Sequence, residues 1–205
     1  MLNLDHLVYG VRDLEEGMAE LDRRLGVLAA RGGKHAGRGT HNALIGLGGR
    51  TYLEIIAFDG EAGPLVRPPL FALDRFALPR LVGFAVGVED IEAVAESARR
   101  RGYDPGPVEA MARVRSDGTA LRWRLTPPPA PPLGVVPFLI DWGDSSHPGE
   151  TSPQGPRLVE LRAEHPEPAV VRRALAALGV DLRVDAGPEV ALVATLESER
   201  GRTVL

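Results

Sequence analysis

His41 to Phe58, HNALIGLGGRTYLEIIAF, decides how this chain folds. Two apolar runs flank Gly48-Gly49, a pair that supplies the positive φ values of a tight hairpin turn, so the stretch is predicted to be a β-hairpin. The alternation of a strand puts Tyr52, Glu54 and Ile56 on one face of the second arm and Leu53, Ile55 and Ala57 on the other. Both faces are apolar apart from Glu54, which predicts a strand covered on both sides. An ionised carboxylate in that position is costly unless a cation, a set of donors or water meets it. The rest of the sequence is a search for what meets Glu54.

Working outward, residues 3–11 (NLDHLVYGV) alternate as a strand. Asp13 is placed to cap a helix whose buried stripe is Leu14, Met18, Leu21 and Leu25 and whose stop is Gly26. Val27 to Ala30 reads as a short strand, and GGKHAGRGT as the loop leading into the hairpin. The order from 1 to 58 is therefore β-α-β-β-β. After a Pro- and Gly-bearing connector at 59–79, with a short helix predicted at 71–76, the plan recurs. Gly10-Val11-Arg12-Asp13-Leu14 matches Gly87-Val88-Glu89-Asp90-Ile91 at a constant offset of 77 residues. A second helix carries Ile91, Val94, Ala95 and Ala98. Strands follow at 108–115, 119–126 and 135–142, with a turn at Asp117-Gly118. The predicted fold is α+β, with paired βαβββ modules at 1–58 and 80–142 forming a curved mixed sheet around a cup. A loop at 143–156 leads to a third, partial βαβββ-like unit at 157–205, all within one compact domain.

Bulk composition narrows the function. The 205 residues carry 24 Lys and Arg against 28 Asp and Glu, a net charge of −4 that argues against a nucleic-acid partner. There is no cysteine, which excludes disulfides and thiolate chemistry. No apolar run approaches a membrane span and no leader is visible, so the expectation is a cytoplasmic protein with no membrane partner.

LDHLVYGVRDLE at the N-terminus and YLEIIAF at 52–58, repeated in plan, resemble the vicinal oxygen chelate superfamily of glyoxalase I, extradiol dioxygenases and antibiotic-resistance proteins. GGKHAGRGTHNAL (32–44), YLE (52–54), PFLIDW (137–142) and HP (147–148) resemble its glyoxalase-like branch. The resemblance covers roughly residues 1–150. It implies a cup that takes a small oxygenated molecule, a monomer or homodimer, and no organic cofactor. Two functions are compatible with it. One is a lyase, isomerase or dioxygenase in which Zn, Fe, Mn or Ni acts as a Lewis acid while a side chain transfers a proton. The other is a metal-free protein that binds or sequesters a small compound.

The resemblance makes His6 and Glu54 metal ligands of the first module, an imidazole and a carboxylate suited to such an ion. At the 77-residue offset Gly83 stands where a second histidine is expected. Asp141, matched to Glu54 within FLIDW, is a further candidate ligand, with His147, His35 or His41 as the substitutes the loops offer. Glu54 and His147 are the candidate proton-transfer groups, His147 being equally open to a ligand or loop role. His35, Thr40 and Asn42 lie where this branch carries its G-T-x-N signature, and with Tyr52 they are candidate substrate contacts. Arg122 and Arg124 flank Trp123 and share one strand face. They grip an anionic substrate if that face is the cup, and form a solvated stripe if it is the outside.

Overall fold

The two helices of the repeat begin in the same way. Asp13 Oδ1 accepts a hydrogen bond from the Glu16 N–H at 2.9 Å, and Asp90 Oδ1 from the Ala93 N–H at 3.0 Å. In the computed structural model, which describes residues 3–35, 37–63, 71, 73, 77–114, 120–129 and 134–205, these caps open α1 (Leu14–Leu25) and α2 (Ile91–Arg100). The first module is β1 (Leu4–Gly10), α1, β2 (Ala30–His35), β3 (Thr40–Gly46) and β4 (Tyr52–Phe58). The second is β5 (Arg80–Gly87), α2, β6 (Glu109–Val114), β7 (Ala120–Leu125) and β8 (Phe138–Asp141).

The eight strands form one mixed sheet in the order β2-β3-β4-β1-β5-β8-β7-β6. Each module pairs its first strand parallel to its last, and the modules join through antiparallel β1 and β5. The sheet curls until its outer strands β2 and β6 touch. An ion pair from buried Arg38, in the turn after β2, to Glu109 of β6 ties that seam.

One strand differs from the sequence reading. The GGKH stretch read as loop is the body of β2, paired antiparallel to β3. Its glycines are there for close approach: a Cβ on Gly32 would stand 2.6 Å from Arg113 Nη1 and closer still to Asn42 Oδ1. The turn expected at Asp117-Gly118, and most of the helix expected at 71–76, lie outside the described residues.

The convex face of the sheet is buried by α1, α2 and the C-terminal unit. That unit is β9 (Arg157–His165), α4 (Pro168–Leu178), β10 (Arg183–Ala186), β11 (Ala191–Ser198) and β12 (Gly201–Val204). Its element order is that of a βαβββ unit, but its sheet runs β10-β9-β11-β12, so the first strand pairs with the strand after the helix instead of with the last. One continuous apolar cluster runs from Leu21 of α1 through Leu53 and Ile55 to Val171 and Leu175 of α4. A separate cluster fills the concave side with Leu44, Ile56, Trp123, Leu125, Ile140 and Trp142. Among the described residues no helix is long and apolar enough to cross a membrane.

Candidate functional site

The concave face of the first module is where polar side chains enter an otherwise apolar cup. His6 on β1, His35 on β2, Asn42 on β3 and Glu54 on β4 are all buried, and all line one cavity of about 30 Å³. That volume holds about two water molecules. Tyr52, Phe71, Trp123, Phe138 and Trp142 supply aromatic walls, and Arg113 of β6 brings a buried guanidinium from the second module.

Glu54 is met by three neighbours. Asn42 Nδ2 donates to its Oε1 at 2.5 Å, His35 Nε2 lies 3.7 Å from the same oxygen, and His6 Nε2 lies 3.7 Å from Oε2. Asn42 cannot be turned round, because its carbonyl would then face the carboxylate. Its Nδ2 is also 3.3 Å from His35 Nε2, while His35 Nδ1 is 2.9 Å from the Thr40 hydroxyl. Burial, with Arg113 nearby, keeps the His35 imidazole below its ordinary pKa despite the opposing charge of Glu54. Asn42 Oδ1 is buried with no hydrogen-bond partner among the described residues. Tyr52 stacks on His6 at 4.6 Å, and burial, followed by the charges of Asp5 and Glu54, pushes its phenol well above the ordinary range. His35, Thr40, Asn42, Tyr52, His6 and Glu54 are thus brought together.

Other expected residues are not. Asp141 was matched to Glu54 by sequence, but pairing gives a different match. Glu54 is opposite Val8 in β1, and Phe138 is opposite Ala85, the counterpart of Val8 at the 77-residue offset. Phe138 is therefore the equivalent of Glu54. Asp141 shares the convex side with Leu139, where its carboxylate accepts from Arg124 at 2.5 Å and from the Gly143 N–H at 2.9 Å. Arg124 also reaches Glu92 of α2 at 2.6 Å, and Arg122 is exposed, so neither arginine faces the cup. Trp123 between them does.

His147 is buried beside the cup, but both of its nitrogens are occupied. Nδ1 accepts from the Gly149 N–H at 3.1 Å, capping the one-turn helix α3 (Pro148–Thr151), and Nε2 donates to Asp5 at 2.9 Å. It has no lone pair left for a proton or an ion.

The divalent ion implied by the resemblance has to be judged on these donors. The second module offers Gly83 and Phe138 where it would supply ligands, and the ring of Phe71 fills the space above Gly83, 3.0 Å from where a Cβ would be. His6, His35 and Glu54 face one another, but Asn42 Nδ2 stands between His35 Nε2 and Glu54 Oε1, and among the described residues no group of three His, Asp or Glu is placed to hold an ion. The residues present do not fit that ion.

Two residues of the site escaped sequence reading. Arg113 sits in a strand of mixed pattern that gave no signal. Asp5 is adjacent to His6 and, by strand alternation, belongs on the opposite face. A shift of register between Leu4 and His6 in the pairing of β1 with β5 brings it in instead.

The profile of the glyoxalase-like domain family matches residues 4–179, so the chain belongs to that family, and its paired βαβββ sheet is that of the vicinal oxygen chelate superfamily. Among solved structures, a hypothetical protein from Staphylococcus aureus is similar over 100% of this chain and 98% of its own, with a TM-score of 0.68 at 14% identity. A methylmalonyl-CoA epimerase from Mycobacterium tuberculosis is similar over 68% of this chain and 87% of its own, with a TM-score of 0.44 at 20% identity. No curated protein sequence matches the chain.

Proposed function

We propose that this chain is an acid–base enzyme that moves a proton on a small oxygenated compound held in the cup, with Glu54 as the exchanging group and without a metal ion. One observation carries the proposal: the two Nε2 atoms and one amide N–H that converge on a carboxylate buried in the wall of an aromatic cavity. Structural carboxylates in apolar strands are ordinarily closed off by a full cation. Glu54 instead faces two imidazoles at 3.7 Å, a spacing from which its Oε2 and His6 Nε2 can both touch one reacting atom of a ligand. Arg113 on the facing wall carries the positive charge that a carbonyl or carboxylate oxygen would need as negative charge develops on it. The buried acceptor Asn42 Oδ1 suits a ligand hydroxyl. The cavity limits the reacting end to a few heavy atoms. The chemical class that fits is a small compound with an acidic C–H beside a carbonyl, such as a 2-oxo acid or a 2-hydroxyaldehyde.

The test is solvent deuterium exchange. Wild-type protein, stripped with chelator, is incubated in deuterated buffer with a panel of such compounds, and loss of the C–H signal is followed by NMR. The expected result is exchange of at least one compound that survives chelation and is lost in Glu54→Gln. Exchange that disappears on chelation and returns with Zn²⁺, Mn²⁺, Fe²⁺ or Ni²⁺ overturns the metal-free reading. Binding of panel compounds without exchange leaves a sequestering protein in its place.

A further inference from the structure

We infer that Asp5 is the positioning residue of this site: its carboxylate holds His6 with the proton on Nδ1 and so turns an Nε2 lone pair toward Glu54. The inference rests on the acid–base reading above and explains how that reading is built into the fold. Asp5 is 7% exposed, and three donors from three parts of the chain reach it. His6 Nδ1 is 2.6 Å from Oδ1, while His147 Nε2 at 2.9 Å and Trp142 Nε1 at 3.0 Å share Oδ2.

The logic of protons follows from the acceptor. An ionised carboxylate only accepts, so each of the three groups facing it must donate. The Trp142 indole can do nothing else. His147 is forced to the Nε2–H form, since its Nδ1 already accepts from the Gly149 N–H. His6 must carry a proton on Nδ1; its Nε2, 3.7 Å from Glu54 Oε2, is beyond hydrogen-bond distance, so no acceptor there calls for a second proton and its lone pair is left for a ligand between the two. Asp5 is itself kept ionised: burial alone would raise its pKa, but the bonds from His147 and His6 outweigh burial and hold it well below the usual carboxylate range. The ring of His6 is fixed further by stacking on Tyr52 and by the edge-on contact with Phe138 at 5.5 Å. His147, and Trp142 just beyond the end of β8, therefore act on His6 through Asp5. The arrangement is the one in which a carboxylate sets the tautomer of a catalytic imidazole.

The tautomer is directly measurable. In ¹⁵N-histidine-labelled protein, long-range ¹H–¹⁵N correlation separates protonated from unprotonated ring nitrogens, and the His6 signals are assigned by their loss in His6→Gln. The wild type is expected to show Nδ1 protonated and Nε2 unprotonated for His6, and the reverse for His147. In Asp5→Asn the His6 signals should move to the Nε2–H form or to a mixture. The deuterium exchange rate should fall roughly 10²- to 10⁴-fold with little change in KM, the upper end being the cost of a wrong tautomer in a Ser-His-Asp triad. Trp142→Phe, which removes one donor and keeps the carboxylate, should leave the His6 tautomer as in the wild type. Wild-type His6 protonated on Nε2, alone or in addition to Nδ1, overturns the inference even if Asp5→Asn does not fold. An unchanged His6 spectrum in folded Asp5→Asn does the same. The spectra need no substrate, so they fail or succeed independently of the Glu54→Gln exchange experiment.

Discussion

Facing the cup from β1 and β4 are His6 and Glu54; at the matching places in β5 and β8 are Gly83 and Phe138. The backbone plan of the two modules is the same to the helix cap, yet the first module presents His6, His35, Asn42, Tyr52 and Glu54 to the cavity and the second presents Trp123, Leu125, Phe138, Ile140, Trp142 and the cation Arg113. A symmetric pair of modules would put ligands on both sides of an ion. Here one side carries the buried carboxylate and imidazoles to which we assign proton transfer, and the other an aromatic and aliphatic wall with the Arg113 guanidinium. The wall matters to the chemistry, because excluding water from around Glu54 and Arg113 strengthens each charge's action on a bound ligand.

The largest expected effect comes from the polar side. Glu54→Gln keeps shape and leaves an amide that can donate to the lone pairs of His6 or His35, so the fold should persist. Proton exchange, by contrast, should drop by roughly 10²- to 10⁴-fold. A variant with near wild-type exchange would mean that the asymmetry between the modules has nothing to do with proton transfer. The next effect probes the apolar side. Gly83→His restores the histidine that the repeat leads one to expect, but its Cβ arrives 3.0 Å from the Phe71 ring. Overpacking of that kind costs about 1–3 kcal/mol, read as a lower melting temperature. Adding Phe71→Ala should recover much of that loss, and Zn²⁺ should then raise the melting temperature of the double variant only. Zn²⁺ stabilising the wild type equally would show that Gly83 and Phe138 had not removed the ion site.

Acidification separates the modules in another way. His35 is buried and its pKa is depressed, so the folded state resists a proton that the unfolded chain accepts near pH 6.5. Stability from this group is present above that pH and falls as pH drops through it toward the lowered folded value, with a slope of at most about 1.4 kcal/mol per pH unit for one proton. Asp5, whose folded pKa is also depressed, contributes above the ordinary carboxylate range and is lost at lower pH still. Chemical denaturation between pH 7 and pH 5 should therefore show a decline in the wild type that His35→Gln flattens. The same decline in both proteins would assign it elsewhere.

Much of this was readable from letters alone, for identifiable reasons. The 77-residue repeat carried the modules because strand, cap and helix stripe recur together, and alternation in YLEIIAF set Glu54 on one face with Tyr52 and Ile56 in a strand covered on both sides. Failures occurred where local pattern and pairing part company. GGKH looks like a loop because glycine is a poor strand former, yet at Gly32 the space is occupied by side chains from β3 and β6. Asp141 is mismatched because likeness of FLIDW to YLEIIAF aligns acid with acid, while strand pairing aligns Phe138, three residues earlier, with Glu54. Asp5 needed a bulge that no sequence pattern announces.

The smallest expected effect concerns the arginines flanking Trp123. A sequence with Arg122, Trp123 and Arg124 in alternation allows the cations or the indole to face the cup, but not both. The structure chooses the indole: Trp123 lies against Trp142 with ring centres 5.3 Å apart, and Arg122 projects into solvent. Among the described residues its hydrogen bonds are those of its backbone, its N–H donating to Ser145 Oγ at 3.1 Å and its carbonyl accepting from the same hydroxyl at 2.7 Å. Removing the side chain leaves both bonds intact. Arg122→Ala should therefore change the unfolding free energy by no more than about 0.5 kcal/mol, the usual range for an exposed site. It should also leave the affinity for anionic panel compounds unchanged. Arg113→Ala removes the guanidinium that does face the cavity, and should weaken binding of those anions while sparing neutral ones. If Arg122→Ala were the variant that lost anion binding, the cation serving the ligand would sit on the outer stripe and the division between the two modules would have to be redrawn.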